Sequence, residues 1–342
     1  MRAVVNSPEP YLLTLSPLMS KSDWQAELAA SYTRVEDLLV FLELPSLPPA
    51  SALKTPFPFR VTAAYARRMR KGDACDPLLR QVLPLGDELL SVPGYSADPV
   101  GDLGALILPG LLHKYRGRAL LLATPACAIH CRYCFRRDFP YADGAMTRQR
   151  EAEVIAALQA DADVNEVILS GGDPLLLHDE RLAALIDAIA AIAHVRRLRI
   201  HTRLPVVLPS RINDGLIAML RQTRLQCVMV IHANHSAELD GETAAALSRL
   251  SAAGVTLLNQ SVLLQGVNDD AQLLAGLSET LFTIGVTPYY LHLLDRAQGT
   301  AHFDIPTDKA LKIYDELRRL LPGYLVPRLV REEAGKPYKT LV

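Results

Sequence analysis

The chain predicts an α/β fold: a partial, open (β/α)6 barrel of the TIM type, with a helical extension ahead of it and a short tail behind. Three observations support this. From about residue 118 onward, six apolar runs rich in β-branched residues alternate with amphipathic stretches, the alternation expected of a parallel sheet buried on both faces. Six such units are fewer than the eight of a closed TIM barrel. The polar motifs fall at the ends of these runs, where folds of this kind keep their chemistry. Pattern alone also leaves a doubly wound sheet open.

Residues 1–110 read as the helical extension rather than the catalytic scaffold. Ser22 to Gln25 and Thr33 to Glu36 are spaced as capping boxes before apolar stretches. The proline-rich stretch 45–60, PSLPPASALKTPFPFR, breaks regular structure. Residues 111–322 form the expected barrel. Its runs are 119–126, 166–170, 197–202, 225–232, 256–264 and 287–294, and its helices include 148–160, 180–193, 242–252, 270–283 and 308–321. Gly254 and Gly285 stand where helix C-caps belong, and Pro322-Gly323 ends the last helix. Residues 323–342 are the tail.

Composition narrows the function classes. Half of the 342 residues are hydrophobic and 21% are charged, enough for a sizeable core. With 36 basic against 37 acidic residues, the chain has no broad attraction for nucleic acid or a membrane surface. No uncharged apolar run approaches the ~20 residues of a membrane span. Pro8 and Pro10 interrupt an N-terminus that lacks a long apolar segment. The expectation is a soluble, cytoplasmic protein. Five cysteines make a disulfide framework improbable, and Cys75 and Cys227 read as inert thiols.

The other three cysteines lie within eight positions: Cys127-Ala-Ile-His-Cys131-Arg-Tyr-Cys134, directly after the first run. Thiolates are soft ligands for iron–sulfur clusters or zinc. Three of them leave one iron of a four-iron cluster without a protein ligand, an open position for a cofactor. A zinc site completed by His130 or a distant histidine is the alternative, although zinc usually shows paired CxxC knuckles and no second pair occurs here. The next run ends in Ser170-Gly171-Gly172-Asp173-Pro174, which is either a tight turn or a loop that lets backbone approach a ligand.

With an aromatic before its third cysteine, this CxxxCxxC resembles the signature of the radical S-adenosylmethionine (SAM) superfamily. That resemblance implies a [4Fe–4S] cluster on Cys127, Cys131 and Cys134, with SAM chelating the open iron and cleaved by one electron. It places Tyr133 near the adenine, and Ser170, Gly171, Gly172 and Asp173 at the methionyl group. His232 and Gln260, on the fourth and fifth runs, match residues lining the SAM site; His201 and Arg203 are further polar candidates.

The segments CRYCFRRDF, SGGDPLL, RIHTRLPVVLPSRI, IHANH, LLNQSVLLQGVND and YYLHLLD resemble the lysine 2,3-aminomutase family across residues 75–342. Membership implies a second cofactor, pyridoxal 5′-phosphate (PLP), bound to a tail lysine. That lysine is Lys339, with Lys336 as the runner-up. It also implies a phosphate site on Arg118, assisted by Lys114 and Tyr115. Arg136 reads the substrate carboxylate, and Asp295 and Glu332 read a side-chain ammonium group. Two carboxylates favour a cationic substrate. The implied reaction converts L-α-lysine to (R)-β-lysine, with glutamate or another amino acid as the rival substrate and a non-catalytic Fe–S or zinc protein as the rival class. The compact length, HKYRGRALLL and CRYCFRRDFPYA resemble the branch that supplies β-lysine for modification of translation elongation factor P. That implies a functional link to its lysyl-transfer enzyme and a flavodoxin or ferredoxin as reductant. Oligomeric state stays open, a homo-oligomer included.

Overall fold

A computed structural model describes residues 24–45, 57–141 and 146–342. Its strands form one sheet whose spatial order is the order of the chain. They are β1 (Leu106–Leu108), β2 (Leu111–Tyr115), β3 (Arg118–Thr124), β4 (Glu166–Gly171), β5 (Arg197–Thr202), β6 (Gln226–His232), β7 (Thr256–Val262), β8 (Thr287–His292), β9 (Arg328–Arg331) and β10 (Thr340–Leu341). The six expected runs are β3 to β8. They pair in parallel, as does β9 with β8. β1, β2 and β3 join antiparallel, and β10 returns antiparallel on β9. β1 and β10 are edges, so the barrel is open, as six units predicted.

The helices Arg148–Ala160, Asp179–Ala190, Gly241–Ala252, Ala271–Thr283 and Thr307–Leu320 match the five expected stretches, and Asp214–Gln222 adds a sixth between β5 and β6. Asn213 caps that helix by accepting from Leu216 N at 2.9 Å. Gly254 and Gly285 follow the helix C-caps in the left-handed region, φ +83° and +79°. Val255 N and Val286 N each reach back to the carbonyl five residues earlier, the closure that a Schellman motif makes.

Strand alternation divides the side chains. In β5, Leu198 and Ile200 are buried in the core on one face, while Arg199 and His201 face the barrel interior. The same alternation turns Ile168 and Ser170 of β4, Gln260 and Val262 of β7, and Tyr290 and His292 of β8 inward.

The segment ahead of the barrel departs from a purely helical extension. Its described helices span only four to seven residues (Trp24–Ala29, Val35–Phe41, Ala63–Ala66 and Pro77–Arg80). Boundaries at 110 and 322 cut through the sheet, which runs from Leu106 to Leu341. The expected cap at Ser22 lies outside the described residues, as does most of the proline-rich stretch. Helix Val35–Phe41 has Arg34 at its N-cap, without a side-chain cap bond, so the box expected from Thr33 is not formed. Tyr32, just before it, is held instead in a bridge to Val61, its N–H on Val61 O at 2.8 Å.

Candidate active site

A cavity of about 730 Å³ occupies the barrel interior. Every residue singled out above for cluster, SAM, PLP or substrate lines it, from Lys114 on β2 to Lys339 in the tail. Lys336, the alternative lysine, is exposed and does not line it.

The cysteine loop leaves β3 and is clamped by the segment before the barrel. His130 N donates to Arg60 O at 3.0 Å, Arg132 N to Gln81 O at 2.8 Å, and Arg60 Nη1 to Cys127 O at 3.3 Å. Glu88 is fully buried and takes both Arg132 and Arg137, the latter at 2.7 Å. Arg137 thereby anchors the loop. Burial raises the Glu88 carboxyl, but the two guanidiniums pull it below its ordinary range.

The glycines at the end of β4 serve chain-to-chain packing. A Cβ on Gly171 would lie 2.5 Å from Thr124 O, and one on Gly172 would lie 2.1 Å from Ala126 O. Gly172 N and Asp173 N donate to those same two carbonyls at 2.7 Å. The β4 loop is thus moulded onto the start of the cysteine loop. Asp173 is committed to the framework: it accepts from Thr202 Oγ1 at 2.7 Å, Arg203 N at 2.8 Å and Leu175 N at 3.1 Å. Its expected task, a ligand ammonium group, competes with these three bonds.

Behind the cysteines lies a buried polar network. Tyr133 stacks on His232, with its hydroxyl 2.8 Å from His232 Nε2, and accepts from Asn234 Nδ2 at 2.8 Å. Arg203 donates to Gln81 and Glu238 at 2.8 Å and, through Nη1, to Cys131 Sγ at 2.7 Å.

The donor set fits a cluster. Cys127, Cys131 and Cys134 are unbridged and half-buried. Burial pushes the Cys127 thiol well up and Cys134 up to about 11, and the neighbouring sulfurs add to both. Gathering three thiolates here is therefore costly unless positive iron lies among them. Among the described residues no three His, Cys, Asp or Glu side chains converge on one metal ion; the thiolates of a cubane bind three separate irons and need not do so.

The opposite wall is charged. Arg118 stacks on Tyr115, 4.6 Å from the ring centroid, and its guanidinium makes no hydrogen bond or ion pair among the described residues. Such a guanidinium fits a phosphate. Lys114, expected to assist it, is engaged elsewhere: its ammonium reaches Asp102 Oδ1 at 2.6 Å, Val100 O at 2.8 Å and Glu332 Oε1 at 3.5 Å. Glu332 also accepts from Tyr115 at 2.6 Å and pairs with Lys339. It makes no pair with Arg328 or Arg331, the partners an exposed tail would offer.

Asp295 has no hydrogen bond or ion pair through its carboxylate among the described residues. Burial pushes its pKa up to about 7, with Lys339 drawing it down and Glu332 adding to the rise. His201 Nε2 and His292 Nε2 are buried without partners. Burial holds both rings well below their ordinary value; Lys339 adds to this at His292, as do Arg199 and Lys339 at His201. Buried donors and acceptors left open toward a cavity are what a bound ligand would satisfy.

A family model described as "Radical SAM superfamily" matches residues 121–275, which hold the cysteine loop and the β4 glycines. The chain is a radical SAM enzyme, a class that works with a [4Fe–4S] cluster and SAM. It is 46% identical over 324 residues to "L-lysine 2,3-aminomutase" of Escherichia coli (strain K12), covering 94% of each chain. With the protein of that name from Haemophilus influenzae it shares 46% over 326 residues, 95% of this chain and 96% of the relative. With that of Clostridium subterminale it shares 35% over 324 residues, 94% of this chain and 78% of the relative. The chain belongs to the lysine 2,3-aminomutase family of isomerases.

Proposed function

We propose that this protein is a PLP-dependent L-lysine 2,3-aminomutase that makes (R)-β-lysine for modification of elongation factor P. The observation that carries the substrate is the uncommitted Asp295 carboxylate, in one cavity with the three cysteines, Lys339 and the unpaired Arg118. A cationic side chain supplies the missing partner of Asp295; an anionic one adds a third negative charge beside Asp295 and Glu332.

Cys127, Cys131 and Cys134 hold the cluster, and Ser170 to Gly172 with Tyr133, His232 and Gln260 surround SAM. Arg118 would hold the PLP phosphate, and Lys339 would be the lysine that carries the cofactor. Bound there, the cluster and SAM supply hydrogen-atom abstraction, and PLP supplies the electron sink for a migrating amino group. Arg136, fixed by Asp102 and by Ser170 Oγ at 3.1 Å, takes the substrate carboxylate, and Asp295 takes the ε-ammonium. Glu332, with Tyr115 on one oxygen and the Lys339 amine on the other, would hold that amine in place. Substrate held at both ends leaves C2 and C3 in fixed register, and the enclosing walls keep water away.

The experiment is anaerobic reconstitution with iron, sulfide, SAM, PLP and a reductant, followed by chromatography of lysine and glutamate reactions. β-Lysine from lysine and no product from glutamate supports the reading. Borohydride fixes PLP to the wild type and leaves Lys339→Ala unlabelled. Turnover of glutamate, or labelling at Lys336, refutes it. Product supply to a lysyl-transfer enzyme that charges elongation factor P is checked by adding that enzyme and measuring β-lysylation.

A further inference from the structure

A continuous line of alternating charges crosses the cavity wall: Arg136, Asp102, Lys114, Glu332, Lys339. Its centre, Asp102, comes from the segment ahead of the barrel and is 2% exposed. One carboxylate oxygen takes Arg136 Nε at 2.6 Å, and the other takes Lys114 Nζ at 2.6 Å. Burial raises this carboxyl, but Arg136 and Lys114 bring it below its ordinary range. Resting on the aminomutase reading above, we propose that Asp102 is a positioning residue: it sets the Arg136 guanidinium for the substrate carboxylate and ties it to the tail that carries Lys339.

The geometry leaves little slack. Asp102 N donates to Asp98 Oδ1 at 2.7 Å and Leu103 N to Asp98 Oδ2 at 3.1 Å, so the turn presenting Asp102 is itself locked. The residue before it, Gly101, has φ +68°, and a Cβ there would lie 2.8 Å from Ala334 Cβ. Turn and tail therefore pack directly on one another. The Arg136 side chain is only 10% exposed, with Ser170 Oγ as its other side-chain acceptor. Without Asp102 it keeps its charge and loses its fixed Nε partner, so its remaining N–H groups lose their aim. Lys114 has three N–H groups and three protein acceptors, which makes it the counter-ion joining Asp102 to Glu332 rather than a ligand contact.

The test compares lysine with cadaverine, which has the same carbon chain and both amines but no carboxylate. Equilibrium binding is measured on reconstituted holoenzyme without reductant, for wild type, Asp102→Asn and Arg136→Gln. The expected result for D102N is about tenfold or weaker binding of lysine, with cadaverine changed less than about twofold. In turnover, KM for lysine rises more than kcat falls. A purely structural loss weakens both ligands together and overturns the proposal. D102N with wild-type lysine affinity overturns it as well, while R136Q still weakened leaves the aminomutase reading intact. R136Q without effect on lysine refutes the reading of Arg136 itself. Should D102N fail to take up its cofactors, Asp102→Ser is judged by the same lysine-to-cadaverine ratio.

Discussion

Replacing Asp295 by Asn removes one of four acidic side chains in the cavity, and the only one of the four without a partner among the described residues. Asp102, Asp173 and Glu332 are all engaged, so Asp295 should dominate recognition of the substrate ammonium. Its carboxyl titrates near pH 7 in the ligand-free protein. Only the ionised form suits a cation, so wild-type affinity for lysine falls about tenfold from pH 8 to pH 6, as the competent fraction falls. At pH 8 the variant loses a charge-assisted contact of about 2 kcal/mol, roughly thirtyfold in affinity, and its affinity is flat across the same range. Anaerobic equilibrium dialysis of labelled lysine at pH 6 to 8.5 measures both effects. The same group opposes folding as pH rises. Its unfolded pKa lies near 3.9 and its folded pKa near 7, so between them the native state binds more protons and stability declines. D295N therefore raises the ligand-free thermal midpoint at pH 8. An N variant that keeps the wild-type pH slope, or binds lysine as tightly at pH 8, refutes the assignment of Asp295.

Cys131→Ser removes one cluster ligand and the acceptor of Arg203 Nη1; the reconstituted protein should lose its brown absorbance, read as iron per chain, and all β-lysine formation. Gly172→Ala drives a Cβ to 2.1 Å from Ala126 O, an overpacking strain of about 1–3 kcal/mol or more; a lowered thermal midpoint together with reduced iron uptake checks it. Glu88→Gln strips two buried guanidiniums of their shared carboxylate and should cost about 3–5 kcal/mol in denaturant unfolding. Because the folded Glu88 pKa is depressed, its contribution is fully present above the unfolded pKa and fades as pH falls through the folded one, so E88Q should show less acid sensitivity than wild type.

What could be read from the sequence was whatever recurs along it. β3 to β8 are long enough, and apolar enough, to stand out as runs, and the three cysteines are close enough in the chain to define one loop. β9 and β10 span four and two residues, too short to carry a period, and they gain their place only by pairing with β8 and with each other. Glu88 and Asp102 show no local signal at all. Each is one acid among 37: Glu88 meets Arg132 and Arg137 across 44 and 49 residues of chain, and Asp102 meets Arg136 across 34. Such pairs are made by the fold and are silent in any sequence window. The partners of Lys114 are silent for the same reason. In the chain it stands beside Arg116 and Arg118 as one of a basic cluster; in the fold it lines the cavity together with Arg118, and its ammonium is taken by Asp102 and Glu332. The consequence is mechanical as well as electrostatic. Among the described residues the two edges of the open sheet make no backbone ladder to one another, and the bonds from Lys114 and Tyr115 to Glu332 bridge from β2 to the tail. The Lys114–Glu332 pair thus also spans the opening of the barrel, so replacing Glu332 by Gln should loosen the tail that carries Lys339 as well as weaken recognition.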